Sequence, residues 1–209
     1  MAGHRTERTN WWGARDHSWG VRPGVGGFEP VPGRRRDRGG LFIWNCLATD
    51  EFTLQFQLRE TAEGQRQYLD GQVDFKVQDG RASLRVEDVT HDIEFVPGTR
   101  AYSRASYALT MDDGRTIHLE AEPFYRGWAY AGTGYDGGYL DRKGLGAWRG
   151  DITEHDVYDL PDPETVLLDG APTAPGHREQ PAQVRIDGRP CLGHCPVMTW
   201  GAVDKYGLS

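Results

Sequence analysis

Cysteine is scarce in this chain. Three thiols in 209 residues are too few, and odd in number, for a disulfide framework. Long apolar runs are missing too: no stretch reaches the length of a membrane-spanning helix, and the first residues hold no apolar core of the kind an export signal carries. Together these absences lead us to expect a soluble, cytoplasmic protein with no membrane span. Positive charge is in short supply. Against 24 Lys and Arg stand 31 Asp and Glu, a formal net charge of -7, which argues against nucleic acid as a partner because a phosphate backbone calls for a basic face. Helical periodicity is also lacking, and no apolar pattern of that kind runs beyond two turns.

What the chain does have is aromatic rings and turn residues. Seven Trp, nine Tyr and seven Phe offset a hydrophobic fraction of 37%, because each ring buries a large area. Twenty-eight Gly and twelve Pro separate short apolar runs, the texture of a turn-rich all-β protein. The length suits one domain with a real core. Residues 1–10 read as a disordered tail and 11–209 as a single β-domain, with long loops at 23–40 and 160–181.

From residue 41 the pattern is strand and turn. The apolar run 41–47 reads as a strand buried on both faces, whereas Phe52, Leu54, Phe56 and Leu58 alternate with Thr53, Gln55 and Gln57 in the period of a half-buried strand. Further strands follow around Val73, Phe75 and Val77, then Leu84 and Val86, Ile93 and Phe95, 101–111, and Ile117 to Ala121. Turns are expected at 61–65, at 78–81 as an Asp-Gly hairpin, at Pro97-Gly98 and at 112–114. Residues 150–159 read as another strand, 183–187 as a last one ending in a Gly188-Arg189-Pro190 turn, and the tail from Val197 as a closing strand. A long antiparallel meander rolls up because free edges are a liability, so the expected fold is an all-β barrel.

The chemistry is densest at 11–22, where Trp11, Trp12, Arg15, Asp16, His17, Ser18, Trp19 and Arg22 crowd together. On an extended strand Arg15, His17 and Trp19 share one face and Asp16 and Ser18 the other. Arg15 and Asp16 can form a charge-assisted pair, Arg22 a bidentate one, and Asp16 can instead fix the tautomer of an imidazole. Three readings stay open: a hydrogen-bond network that pins the fold, a binding site, or acid–base catalysis with Asp16 and His17 as the proton-transfer groups. Trp12, Trp19, Trp44, Tyr125, Trp128 and Tyr130, with Arg15 and Arg22, are the candidate ligand contacts.

Other constellations carry less. His118, Glu120 and Glu122 share a strand face that reads as solvated, a metal site needing three converging ligands. Cys191, His194 and Cys195, with His177, offer soft ligands at a spacing that matches no familiar zinc knuckle. The basic run 34–38 is a solvated loop or a site for an acidic ligand. Gly132, Gly134 and Gly137 imitate a dinucleotide fingerprint without the strand and helix that give it meaning. No cofactor and no metal is expected.

The segment Gly13-Ala14-Arg15-Asp16-His17-Ser18-Trp19-Gly20-Val21-Arg22 resembles the Gly-x-Arg-Asp-His-Ser-Trp-Gly-x-Arg signature of lipocalin-like proteins related to carotenoid 1,2-hydratases and the AttH family. The ending Trp200-Gly201-x-x-Asp204-x-Tyr206 is similar to the close of those chains. The resemblance implies a lipocalin-like barrel that binds a hydrophobic small molecule (a terpenoid, steroid or lipid-like compound), with hydratase- or cyclase-type activity on an isoprenoid-like substrate as a further implication. Such proteins carry two β-domains with the signature near their junction. Since it begins here at residue 13, the alternative is a non-catalytic domain that docks on a partner chain supplying the first domain, or on a second copy of itself.

Overall fold

Alternating side chains explain why the strands roll up: each presents one apolar row, and eight such rows enclose one interior. The computed structural model describes residues 7, 12–16, 38–124, 150–151, 167–168, 171–172 and 180–209. Its strands are β1 (Gly39–Ala48), β2 (Phe52–Thr61), β3 (Arg66–Phe75), β4 (Leu84–Phe95), β5 (Tyr102–Met111), β6 (Thr116–Pro123), β7 (Leu167–Leu168), β8 (Ala171–Pro172), β9 (Pro181–Ile186), β10 (Arg189–His194) and β11 (Val197–Gly201). Strands β7 and β8 form a separate two-stranded ladder. The others make an antiparallel sheet that closes when β10 pairs with β1. The result is a closed eight-stranded barrel, with β10 and β11 serving as two halves of one wall position.

That last strand is broken at Cys195-Pro196. Residues Leu192 to His194 pair with Ala48 back to Cys46, and Val197 to Gly201 pair with Ile43 back to Gly39, so both halves run along β1. Across the break Trp44 donates its backbone N–H to the Pro196 carbonyl at 3.2 Å. Pro190, expected in a turn, lies instead within β10 opposite Arg185. It sits outside the stretch of β10 that pairs with β1, where a missing N–H breaks no ladder bond.

The interior is filled by Leu41, Ile43 and Leu47 of β1, Leu54, Phe56 and Leu58 of β2, Val73, Val89, Ile93, Ala105, Leu109, Met111, Leu119, Val184 and Val197, all but fully buried. The run 41–47 is therefore not buried on both faces. Leu41, Ile43, Asn45 and Leu47 point in, while Phe42, Trp44 and Cys46 are half-buried on the outer wall, because a barrel wall has a single inside. In β4 a register shift between Val86 and Asp88 resets the alternation, which brings Val89, His91 and Ile93 inward.

The expected turns at 61–65, 97–98 and 112–114 are present, each with a glycine at positive φ: Gly64, Gly98 and Gly114. The one at 78–81 is not a tight hairpin. It is a longer link built on a 3-10 turn (Val77–Asp79) that ends at Gly80 in the left-handed region, and β3 and β4 pair only through Gln72 with Arg85 and Val73 with Leu84. The β1–β2 seam, by contrast, runs unbroken from Gly40 opposite Thr61 to Ala48 opposite Thr53. Two loop boundaries also move: Gly39 and Gly40 belong to β1, and Pro181 to β9. The expected strand at 150–159 falls mostly outside the described residues.

Candidate functional site

In an antiparallel barrel, alternate turns fall at the same end. The links after β1, β3, β5 and β9 crowd one end, and those after β2 and β4 share the other with the chain's last residues. The two ends are built differently.

Among the described residues, the second end is closed over. A 3-10 turn (Asp204–Tyr206) lies across it, fixed by the Asp204 N–H to the Ala62 carbonyl at 2.9 Å and by the Val203–Leu208 bridge. Arg100 clamps it from β5's side, donating to the Gly201 carbonyl at 2.6 Å and the Ser209 carbonyl at 2.9 Å. Beneath it His91 joins two partners: its Nε2 lies 3.0 Å from Glu60 Oε2, and its Nδ1 lies 2.7 Å from the Tyr206 hydroxyl. An ionised Glu60 accepts only, so Nε2 carries the proton and Nδ1 accepts from Tyr206. Arg66 stands 3.8 Å from Glu60, donates to the Val89 carbonyl at 2.6 Å and pairs with Asp88. Lys205 donates to the His91 carbonyl.

The electrostatics follow the contacts. Burial pushes the Glu60 carboxyl up, but the hydrogen bond from His91 Nε2 and the nearby positive charges of Arg66 and Lys205 outweigh it and hold Glu60 below the usual glutamate value. Arg66 holds Asp88 below its ordinary value through their hydrogen bond, against some loss of solvation. Burial raises the Tyr206 phenol, which therefore stays a neutral donor. Every functional group here has a partner.

The first end is open and holds a cavity of about 880 Å³. Its depth is apolar, with Val73, Leu84, Ile117 and Ile186. At the lip Phe52 and Phe75 are cross-strand partners, their rings edge to face with centroids 6.1 Å apart. The Arg81 guanidinium lies over the Phe75 ring, 3.4 Å from its centroid. Two more arginines reach the rim already engaged, Arg115 with Asp113 at 2.7 Å and Arg189 with Glu51 at 3.2 Å. Asp50, Glu51 and Asp187 supply the acidic part of the same rim.

Of the residues singled out in sequence, Trp12 is at this cavity. Its indole is half-buried along the wall and its N–H is buried without an acceptor. Arg15 and Asp16 are exposed. Trp44 is not a cavity residue: the inward β1 positions belong to Ile43 and Asn45, and Trp44 meets the His194 ring edge-on at 5.2 Å on the outer wall. His17, Trp19, Arg22, Tyr125, Trp128 and Tyr130 lie outside the described residues, as do His177 and the glycine pattern at 132–137. His118, Glu120 and Glu122 point outward, as expected of a solvated face. Cys46, Cys191 and Cys195 are free thiols, and no cluster of metal-binding geometry occurs among the described residues. Arg38, from the basic run, pairs with Glu63 at 3.0 Å and with Asp204 at the closed end.

Sequence reading missed Arg81, Phe52 and Phe75 as a group, and missed Glu60 with His91. The signals were there. Turns of the same parity must meet at one end, and Glu60 continues the inward row of Leu54, Phe56 and Leu58.

A family model described as a family of unknown function (DUF8625) matches residues 2–194. No curated protein and no solved structure matches the chain.

Proposed function

We propose, for a chain that belongs to the DUF8625 family of unknown function, that the barrel is a lipocalin-like carrier or receptor for one hydrophobic small molecule, bound at the open end. The observation that carries this reading is the cavity of about 880 Å³, which is apolar in its depth and rimmed by charge. That size falls in the range of small-molecule sites, which are mostly apolar with a few placed polar groups. Trp12 supports it from the opening segment: the residue just before the signature contributes an indole wall to the same cavity, while Asp16 stands exposed. Binding rather than turnover is the reading these positions favour.

The test is a titration with Nile red, a neutral apolar dye. One saturable site is expected, with weaker binding when Ile117→Trp fills the cavity. Dye fluorescence that does not saturate, or saturates equally in the filled variant, would remove the cavity from the reading.

A further inference from the structure

We infer that the ligand of this cavity is an amphipathic monoanion, an apolar body with a carboxylate head, and that Arg81 is the residue that receives the head. This rests on the reading above that the cavity takes an apolar molecule. It adds which class of molecule.

Arg81 carries the inference by what it contacts and what it lacks. Its guanidinium carbon lies over the Phe75 ring, 3.4 Å from the centroid, and that ring is in turn braced by Phe52. Gly80, at φ 60, turns the chain at the end of the 3-10 turn just before Arg81. A guanidinium held over a ring face does not spend its N–H donors on the ring plane's edge, and its planar fork matches the two oxygens of a carboxylate. The other rim arginines already have carboxylates, Asp113 for Arg115 and Glu51 for Arg189. Among the described residues Arg81 has none. Ordering it on the ring limits the side-chain entropy a bound anion would otherwise cost.

The surrounding charge narrows the head group. Asp50, Glu51 and Asp187 stand on the same rim, and Glu51 is already neutralised by Arg189. One free guanidinium facing residual negative charge accommodates a single anionic charge and disfavours two. A carboxylate therefore fits better than a phosphate monoester.

Decanoate, decanol and decyl phosphate, each displacing Nile red from the full chain below its micelle concentration, separate the outcomes. Decanoate is expected to bind about tenfold more tightly than decanol, the size of one charge-assisted hydrogen-bond pair at a partly solvated site, and more tightly than decyl phosphate. In Arg81→Met the preference for decanoate over decanol is expected to vanish while decanol affinity holds. Arg81→Lys is expected to keep part of it, and added salt to shrink it in the parent protein. Equal binding of acid and alcohol, or a preference that survives Arg81→Met, overturns the inference while leaving the apolar site standing. Tighter binding of decyl phosphate than of decanoate overturns the monoanion. Failure of all three to displace a saturably bound dye overturns this inference as well. Failure of the dye itself to saturate brings down the underlying reading, and the inference with it.

Discussion

The two ends of the barrel hold similar residues to opposite effect. At the closed end a carboxylate, an imidazole, a phenol and an arginine satisfy one another under the Asp204–Tyr206 turn. At the open end an arginine lies on a ring with its donors free, and an indole N–H is buried without an acceptor. Groups that satisfy one another hold a fold together, and groups left without partners are available to a ligand. Substitutions at the closed end should therefore register as stability, and substitutions at the open end as affinity.

The sharpest way to break this contrast is His91→Leu. It strands Glu60 against Arg66 and leaves Tyr206 without its acceptor, so a loss of about 3 kcal/mol is expected, near the lower end for a broken buried pair. For a chain of this size that is a fall in melting temperature of roughly 6 to 12 °C, with Nile red affinity unchanged in the folded state. A normal melting temperature together with lost dye binding would invert the assignment of the two ends.

Acid should act on the same end. Glu60 and Asp88 are both held below their ordinary values in the folded chain, so the stability they supply is complete above the unfolded-state values and disappears as pH falls through the depressed folded ones. Glu60→Gln is expected to lower stability at neutral pH and to flatten the acid limb of a denaturation series. An unchanged slope would mean that Glu60 does not exchange its proton on unfolding.

Tyr206→Phe deletes one hydrogen bond and keeps the ring against Phe95, so about 1 kcal/mol is expected to be lost in a urea titration. Smallest of all should be Trp12→Phe at the open end. It removes an unsatisfied donor and keeps an aromatic wall, so stability is expected to move by less than about 0.5 kcal/mol. Its Nile red affinity is expected to change by more than its melting temperature would suggest. A large destabilisation would make Trp12 a structural plug instead of a wall.

Much of the barrel could be read from residue order alone, because alternation is a local signal. Thr53, Gln55 and Gln57 between Leu54, Phe56 and Leu58 fix which way β2 faces whatever else the chain does. What could not be read are features set by pairing between distant strands. β10 looked like a turn because Gly188, Arg189 and Pro190 are turn-formers, yet its place is decided by β1 and β9, far away in sequence. Trp44 looked like a ligand wall because it is aromatic, but its parity with Phe42 and Cys46 places it outside. The candidate site suffers most from this, since Phe52, Phe75, Arg81 and Ile186 meet only once the wall has closed. Trp12 was legible as part of a chemically dense stretch, though nothing in that stretch names the rim it joins.

The short seam between β3 and β4 has its own consequence. These strands are laced at Gln72–Val73 and Leu84–Arg85, beside the lip, and farther along, among the described residues, the long Arg66 side chain spans from one to the other. Among the described residues, the other backbone amides along this gap have no ladder partner, so this seam is the least laced line of the cylinder. Parting there requires displacing one guanidinium, not unzipping a row of peptide bonds. On the proposed ligand-binding reading, a guest longer than the hollow would lay its tail through this line, and chain length would not set the limit on what is bound.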